Sequence, residues 1–237
     1  MNIELKIIFE DKHIIVVEKP PKVPSQSDKS YDMDLMTQVG EYIKQTYNRP
    51  KPYVGLLHRL DRPVGGLMVF AKTKEANKFI SEEIRNMRFN KAYFAVICGK
   101  PEKEKGELRN HLKKFAKNNV SKVVDSSMSG SKEAILEYEV IDSIDTDNDG
   151  VLSLIKIKLI TGRHHQIRIQ LSHAGFPLWG DTKYNEAFAK RKGWTQIALW
   201  SHHLDFKHPF EKKRCSFDLF PMDEYPFNLF SSFIQAD

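Results

Sequence analysis

Apolar residues in this chain fall in short runs, and most runs are bounded by charged or turn-forming residues. Residues 7–9 and 13–17 are apolar stretches separated by Glu10-Asp11-Lys12, which predicts a hairpin or two short strands. Lys19-Pro20-Pro21-Lys22-Val23-Pro24 must leave that sheet, because proline has no N–H to give to a ladder. Asp34 is placed to cap a helix whose apolar residues Leu35, Val39, Ile43 and Tyr47 recur at every fourth position, and residues 48–52 break it. Residues 64–72 predict a strand. Thr73 then caps a second helix with Ala76, Phe79, Ile80, Ile84 and Met87 on one face. Residues 91–98 are a continuous apolar strand, ended by Gly99-Lys100-Pro101.

Residues 102–133 are polar and rich in turn formers, and are expected to make small excursions on the surface. Residues 134–144 and 151–160 predict a long hairpin joined by 145–150. Residues 163–174 carry Ile167, Leu171 and Ala174 at helical spacing, and a last strand pair is predicted at 197–206 and 214–219. Strands outnumber helices, and short loops join most of them. The expected architecture is α+β, with a mixed, largely antiparallel sheet flanked by helices and loops. No repeat, linker or low-complexity segment divides it, so residues 1–237 are read as a single domain.

Composition agrees with a folded, soluble chain. Of 237 residues, 41% are hydrophobic and 29% charged, and no apolar run approaches the roughly 18–20 residues needed to cross a bilayer. Met1-Asn2-Ile3-Glu4-Leu5-Lys6 mixes acid and base and has no signal-peptide core, so a cytoplasmic location is expected. The two cysteines, Cys98 and Cys215, support neither a disulfide framework nor a metal site. Cys98, inside an apolar run, is expected to be a small buried hydrophobe. The net charge of +6, with clusters at Lys113-Lys114, 190–192 and 212–214, is compatible with a polyanionic partner.

Four stretches carry candidate chemistry. Asp145-Thr146-Asp147-Asn148-Asp149-Gly150 matches the opening of an EF-hand loop, but Lys156 stands where the bidentate glutamate should be, so a hairpin loop is expected. The pair His202-His203 lies in a predicted strand, where neighbours face opposite ways and cannot share one metal, and no zinc motif is present. In Thr161-Gly162-Arg163-His164-His165-Gln166-Ile167-Arg168, the planar donors of Arg163, Gln166 and Arg168 suit carboxylate or phosphate. No acid accompanies them between Ile160 and Asp181. His164 and His165 are read as contacts to backbone or phosphate. The fourth is His58-Arg59-Leu60-Asp61-Arg62, with Gly65-Gly66 close behind. On spacing alone, Asp61 is either a turn salt bridge to an arginine or a carboxylate held ionised for nucleophilic or oxocarbenium-stabilising work.

His58-Arg59-Leu60-Asp61 with Gly66-Leu67 resembles the H-R-L-D-x-x-x-x-G-L signature of the RluA-type pseudouridine synthases. Other stretches resemble that family in the same order: Ile8-Phe9-Glu10-Asp11 with Val16-Val17-Glu18-Lys19-Pro20, Lys91-Ala92-Tyr93-Phe94-Ala95-Val96, the Thr161–Arg168 segment with Gly180-Asp181, and Phe206-Lys207-His208-Pro209. The resemblance implies the pseudouridine synthase fold, with a catalytic cleft across the sheet. It implies Asp61 as the catalytic aspartate, Tyr93 as the tyrosine that packs on uracil, and Arg168 as the arginine that pairs with the aspartate. Arg59 corresponds to the residue that enters the RNA where the base leaves, and His58, Arg62, Arg163, His165 and Gln166 are further candidates for RNA contact. Asp181 is read as structural. Val64-Gly65 departs from the Thr-Ser of many members, and an N-terminal S4-like RNA-binding domain is not expected.

Isomerising uridine breaks the C1′–N1 bond, turns the base and forms C1′–C5, with no redox change or group transfer. Such chemistry calls for a carboxylate near C1′ and a flipped base, and for no cofactor or metal. The partner implied is RNA, ribosomal before transfer, with no membrane and a monomeric protein. A non-catalytic RNA-binding or ribosome-assembly module on the same fold is the alternative. A glycoside or nucleoside hydrolase would need a second carboxylate as acid, and none stands out.

Overall fold

A computed structural model describes residues 5–28 and 30–230. The reading of Met1–Glu4 therefore lies outside the described residues. Along the chain, the first elements are β1 (Ile7–Glu10), β2 (Ile14–Lys19), α1 (Leu35–Tyr47), β3 (Gly55–Leu56), β4 (Gly65–Ala71) and α2 (Lys74–Arg85). There follow β5 (Asn90–Cys98), β6 (Lys105–Phe115), β7 (Val120–Val124), β8 (Lys132–Thr146) and β9 (Gly150–Leu159). The last are α3 (Gln166–His173), α4 (Glu186–Ala189), β10 (Leu199–Lys207) and β11 (Arg214–Asp218). The fold is α+β. No described helix is long and apolar enough to cross a membrane. By compactness the described residues divide into two units, residues 5–28, 30–91 and 201–219 in one and residues 92–200 with 220–230 in the other.

The first unit is a sheet in the order β1-β2-β4-β10, with β3 paired to β4 and β11 to β10. Asp11 closes its first turn, its carboxylate accepting from the N–H groups of His13 and Ile14, both at 2.7 Å. β2 and β4 pair antiparallel from Ile14 opposite Ala71 to Lys19 opposite Gly66. Ile14, Val16, Leu67, Val69, Ala76, Ile80, Leu204 and Phe206 are all fully buried. Each large apolar side chain so buried contributes about 1.5–3 kcal/mol. Both predicted caps form: Asp34 accepts from Thr37 N at 3.0 Å, and Thr73 from Ala76 N at 3.2 Å. Met87 does not join the buried face of α2. The helix ends at Arg85, and Met87 turns out at φ 55°, 70% exposed. On β10, His202 is buried and His203 is half-buried; both turn Nδ1 toward the same oxygen of Asp218, His203 at 2.7 Å and His202 at 4.0 Å.

The second unit orders its strands β5-β9-β8-β6-β7. The ladders β5–β9, β9–β8, β8–β6 and β6–β7 are antiparallel. The loop 145–150 is a hairpin turn: Gly150 has φ 67°, and Thr146 Oγ1 accepts from Asp149 N while donating to Gly150 O. The expectation for 102–133 is corrected. β6 and β7 run through it, and only Leu112 and Ser121 of these strands are buried, so the segment lacks the apolar density that marks a strand in sequence. The cysteine expectation is corrected too. Cys98 lies at the end of β5 and is only partly buried, whereas Cys215 on β11 is buried, and both are free thiols.

Gly66 combines φ 115° with a close approach: a Cβ there would lie 2.6 Å from Ser201 N. Gly66→Ala should therefore lower the unfolding free energy by about 2 kcal/mol or more, read as an earlier urea midpoint at unchanged m-value.

Candidate active site

Asp61 sits on the loop between β3 and β4, and that loop is fastened by its neighbours. His58 is buried, and its Nε2 accepts from Val69 N at 3.2 Å, which leaves the ring proton on Nδ1. Ser25 clamps the next turn: its hydroxyl donates to Leu60 O at 2.8 Å and accepts from Leu60 N at 3.1 Å. Asp61 O accepts from Val64 N at 2.9 Å and closes the turn that delivers the chain to β4. Arg62 spends its guanidinium on Asp32, on Asp28 at 3.8 Å and on Lys22 O at 2.9 Å. Arg59 is exposed. The turn salt bridge to Arg62 that spacing allowed is thus made with Asp28 and Asp32 instead.

Beneath this loop lies Lys19, fully buried at the end of β2. Its ammonium donates to Val23 O at 2.8 Å, Pro20 O at 3.0 Å and Arg62 O at 3.1 Å. Burial pushes its pKa down to about 7; the Asp61 carboxylate pulls it back up and the Arg62 charge adds to the fall. Lys19 and Ser25 are parts of the site that spacing did not single out. The signal for Lys19 was its place beside Pro20, within the stretch already matched to the family.

In the second unit, Arg163, His165, Gln166 and Arg168 gather around α3. Arg168 is buried and grips Asp181 with two parallel bonds, Nε to Oδ2 at 2.8 Å and Nη2 to Oδ1 at 2.7 Å. Asp181 Oδ1 also accepts from Lys183 N and Tyr184 N, so the carboxylate fixes the guanidinium and the following turn together. Gln166 is buried: Oε1 accepts from Thr161 Oγ1 and Arg163 N, and Nε2 donates to Ile135 O. Its amide holds the start of α3 to the sheet. His165, at φ 53°, contacts Tyr184 Oη at 2.8 Å through Nδ1 and stacks on His164. Burial, then the charges of Arg168, His164 and Lys183, hold its pKa far below the usual histidine range. Arg163 is exposed, with Nε on Glu133 O at 2.8 Å. Tyr93 is buried on β5, opposite Ile157.

Among the described residues, Asp11, His208 and Glu211 bring ligand atoms within 4.8 Å of one another. Both nitrogens of His208 are engaged, Nε2 with Asp11 at 2.7 Å and Nδ1 with the N–H groups of Phe210 and Glu211. That chemistry suits a turn anchor better than a metal.

Burial, with the Lys91 charge adding, brings the His58 pKa down to about 3 from 6.5. Between those values the unfolded chain binds the extra proton, so stability is lost as pH falls from 6.5 toward 3. His58→Gln, which keeps an acceptor for Val69 N, should remove up to about 1.4 kcal/mol per pH unit from that slope. Urea unfolding over a pH series checks it; equal slopes in the two proteins would refute the assignment.

Comparison with known proteins agrees with this geometry. The chain is 29% identical over 218 residues to ribosomal large subunit pseudouridine synthase D of Borreliella burgdorferi, covering 89% of this chain and 64% of that protein. It thus spans less than two thirds of that relative's length. It is 28% identical over 222 residues to tRNA pseudouridine synthase C of Haemophilus ducreyi, covering 87% and 86%. The solved structure of human RNA pseudouridylate synthase domain containing 1 shares the fold, with a TM-score of 0.75 at 21% identity over 92% of this chain and 84% of that one. Residues 13–173, which carry the Asp61 loop, Tyr93 and α3, match the RNA pseudouridylate synthase family, and the chain belongs to it.

Proposed function

We propose that this protein isomerises uridine in structured RNA to pseudouridine, with Asp61 as the essential carboxylate. The observation that carries the reading is the Asp61 loop. It is pinned by Lys19, Ser25 and His58, and Arg62 is turned away to Asp28 and Asp32. A carboxylate so placed is presented by rigid backbone beside the buried Lys19. Its carboxylate oxygen can add to C1′ as the C1′–N1 bond breaks and leave again as C1′–C5 forms; on the glycal route the C2′ proton is lost as N1 departs and is returned when C1′–C5 forms. In either case the base turns, the C5 proton leaves and N1 ends protonated.

The other roles are assigned by resemblance. Tyr93 packs on the uracil and is the candidate base for the C5 proton. Arg168, fixed by Asp181, supplies a positive charge that cannot swing away. Arg59, exposed beside the carboxylate, fills the gap left by the flipped base. Arg62, Arg163 and the segment around His165 and Gln166 shape the RNA surface, Gln166 and His58 from inside the fold. Ribosomal RNA is the preferred substrate class and transfer RNA the second.

Asp61→Asn should abolish pseudouridine formation, with RNA binding unchanged within a few-fold. The check is pseudouridine mapping of total RNA from a deletion strain, complemented with wild-type or variant protein. Restoration of the lost mark by Asp61→Asn would overturn the assignment. The mapped position names the RNA class.

A further inference from the structure

The β6–β7 hairpin carries an arrangement that its own stability does not call for. From His111 to Val124 the chain has four lysines and no acid. Lys113 and Lys122 are directly opposite in the ladder, where like charges repel. Both ammonium groups also flank one aromatic ring: Lys113 Nζ is 5.8 Å and Lys122 Nζ 5.7 Å from the centroid of Phe115, itself 36% exposed. Lys114 and Lys117 stand exposed at the hairpin end. Among the described residues, no carboxylate lies within ion-pair distance of any of these four lysines, although other lysines of the sheet, one at the start of β6 itself, are paired. Lys105 meets Glu139 at 2.7 Å and Lys158 meets Glu137 at 3.0 Å.

The hairpin is also held firmly to the segment before α3. Ser121 Oγ donates to His164 O at 2.7 Å, and Ser121 N donates to Tyr184 Oη at 2.7 Å. His164 Nε2 contacts Asn119 Oδ1 at 3.1 Å, and Lys183 Nζ donates to Asn119 O at 3.1 Å. The turn at Asn119 is thereby locked to the residues that carry Arg163 and Arg168.

We propose that Lys113, Phe115 and Lys122, with Lys114 and Lys117 at the tip, form a docking platform for a single-stranded stretch of RNA. An unstacked base lies on the Phe115 ring, and the lysines take phosphates on either side. An aromatic ring accepts any base by its π-face, and flanking cations neutralise the backbone, which suits a sequence-tolerant contact. An anionic membrane surface would use the charges but has no need of a ring held between them. This inference rests on the RNA-directed reading above and adds where the RNA is held outside the reacting uridine.

The test is binding of a fluorescein-labelled oligouridylate to the full chain across a salt series. The double substitution Lys113→Gln/Lys122→Gln should weaken binding and lower the salt slope by about 1.4, from about 0.7 per phosphate on single strands. Phe115→Ala should weaken binding about 5- to 100-fold with the slope kept, and Phe115→Trp should retain affinity. Lys122→Gln relieves the repulsion with Lys113, so its melting temperature should stay or rise while binding falls. A merely structural role would move both the same way. If a glutamine variant fails to fold, Lys113→Arg/Lys122→Arg with Phe115→Leu asks the same question, with charge kept and stacking lost. Unchanged affinity and slope in these variants would overturn the proposal, as would lysine-dependent binding to phosphatidylserine vesicles without any effect on oligouridylate. Binding is read apart from turnover. Wild-type isomerisation with unchanged binding sinks the platform alone, whereas loss of the isomerase reading leaves the binding result intact.

Discussion

Three carbonyl oxygens on one buried ammonium hold the Asp61 loop in place. Lys19 has three protons to give, and Pro20, Val23 and Arg62 take one each. Two of those acceptors lie just after β2, and the third lies on the loop that follows β3. A single side chain therefore ties the point where the first strands leave the sheet to the residue beside Asp61. A buried charge is costly unless its hydrogen bonds are met, and here all are. The cost of removing it would fall on the loop, because three carbonyls would lose their donor at once. Proline at 20 suits this place, since its backbone offers a carbonyl to Lys19 without presenting a donor that would need a partner.

The rest of the first unit refines what Lys19 sets. Ser25 fixes both polar groups of Leu60, while the Leu60 side chain is buried, so the residue before Asp61 can neither rotate nor lift. His58 borrows an N–H from β4, and it can do so only while neutral, which couples the loop to pH through a single buried ring. Gly66 then lets β4 run against the Ser201 backbone at a distance no side chain permits. The glycine of the H-R-L-D signature is thus required by packing. Val64 is buried and its N–H closes the same turn on Asp61 O.

Much of this was legible from residue pattern. The caps at Asp34 and Thr73, the hairpins and the strand at β4 follow from local rules that burial then reinforces. β6 and β7 were not legible, because their exposed faces are charged and their inner faces are short of large apolar residues. β7, at the sheet's edge, and β6, next to it, need not look like strands in sequence. The site divided in the same manner. The types of residue at Asp61, Arg168 and Gln166 point to polar chemistry, but sequence does not tell a side chain that meets a ligand from one that holds the scaffold. Gln166 and His58 were grouped with RNA contacts for their hydrogen-bonding capacity, and the fold uses that capacity within the protein. Arg62 lies next to the carboxylate in sequence yet is paired elsewhere, since adjacent residues on a turn diverge.

The two units share one rule for charge. Several of their buried charged and polar groups are held by more than one bond: Lys19 on three carbonyls, Arg168 on both oxygens of Asp181, Gln166 on three partners. Groups held in this way keep their positions. Capacity remains on the outside, at the exposed Arg59 and at the far end of the β6–β7 hairpin, where, among the described residues, Lys113, Lys114, Lys117 and Lys122 meet no carboxylate. An enzyme acting on a base within a folded RNA needs both kinds, since the reacting group must not move while the polymer around it must be gathered. Burial with more than one bond supplies the first, and exposure with unbalanced charge supplies the second. The division between them runs along the same sequence motifs that a reading by residue type would treat as one class.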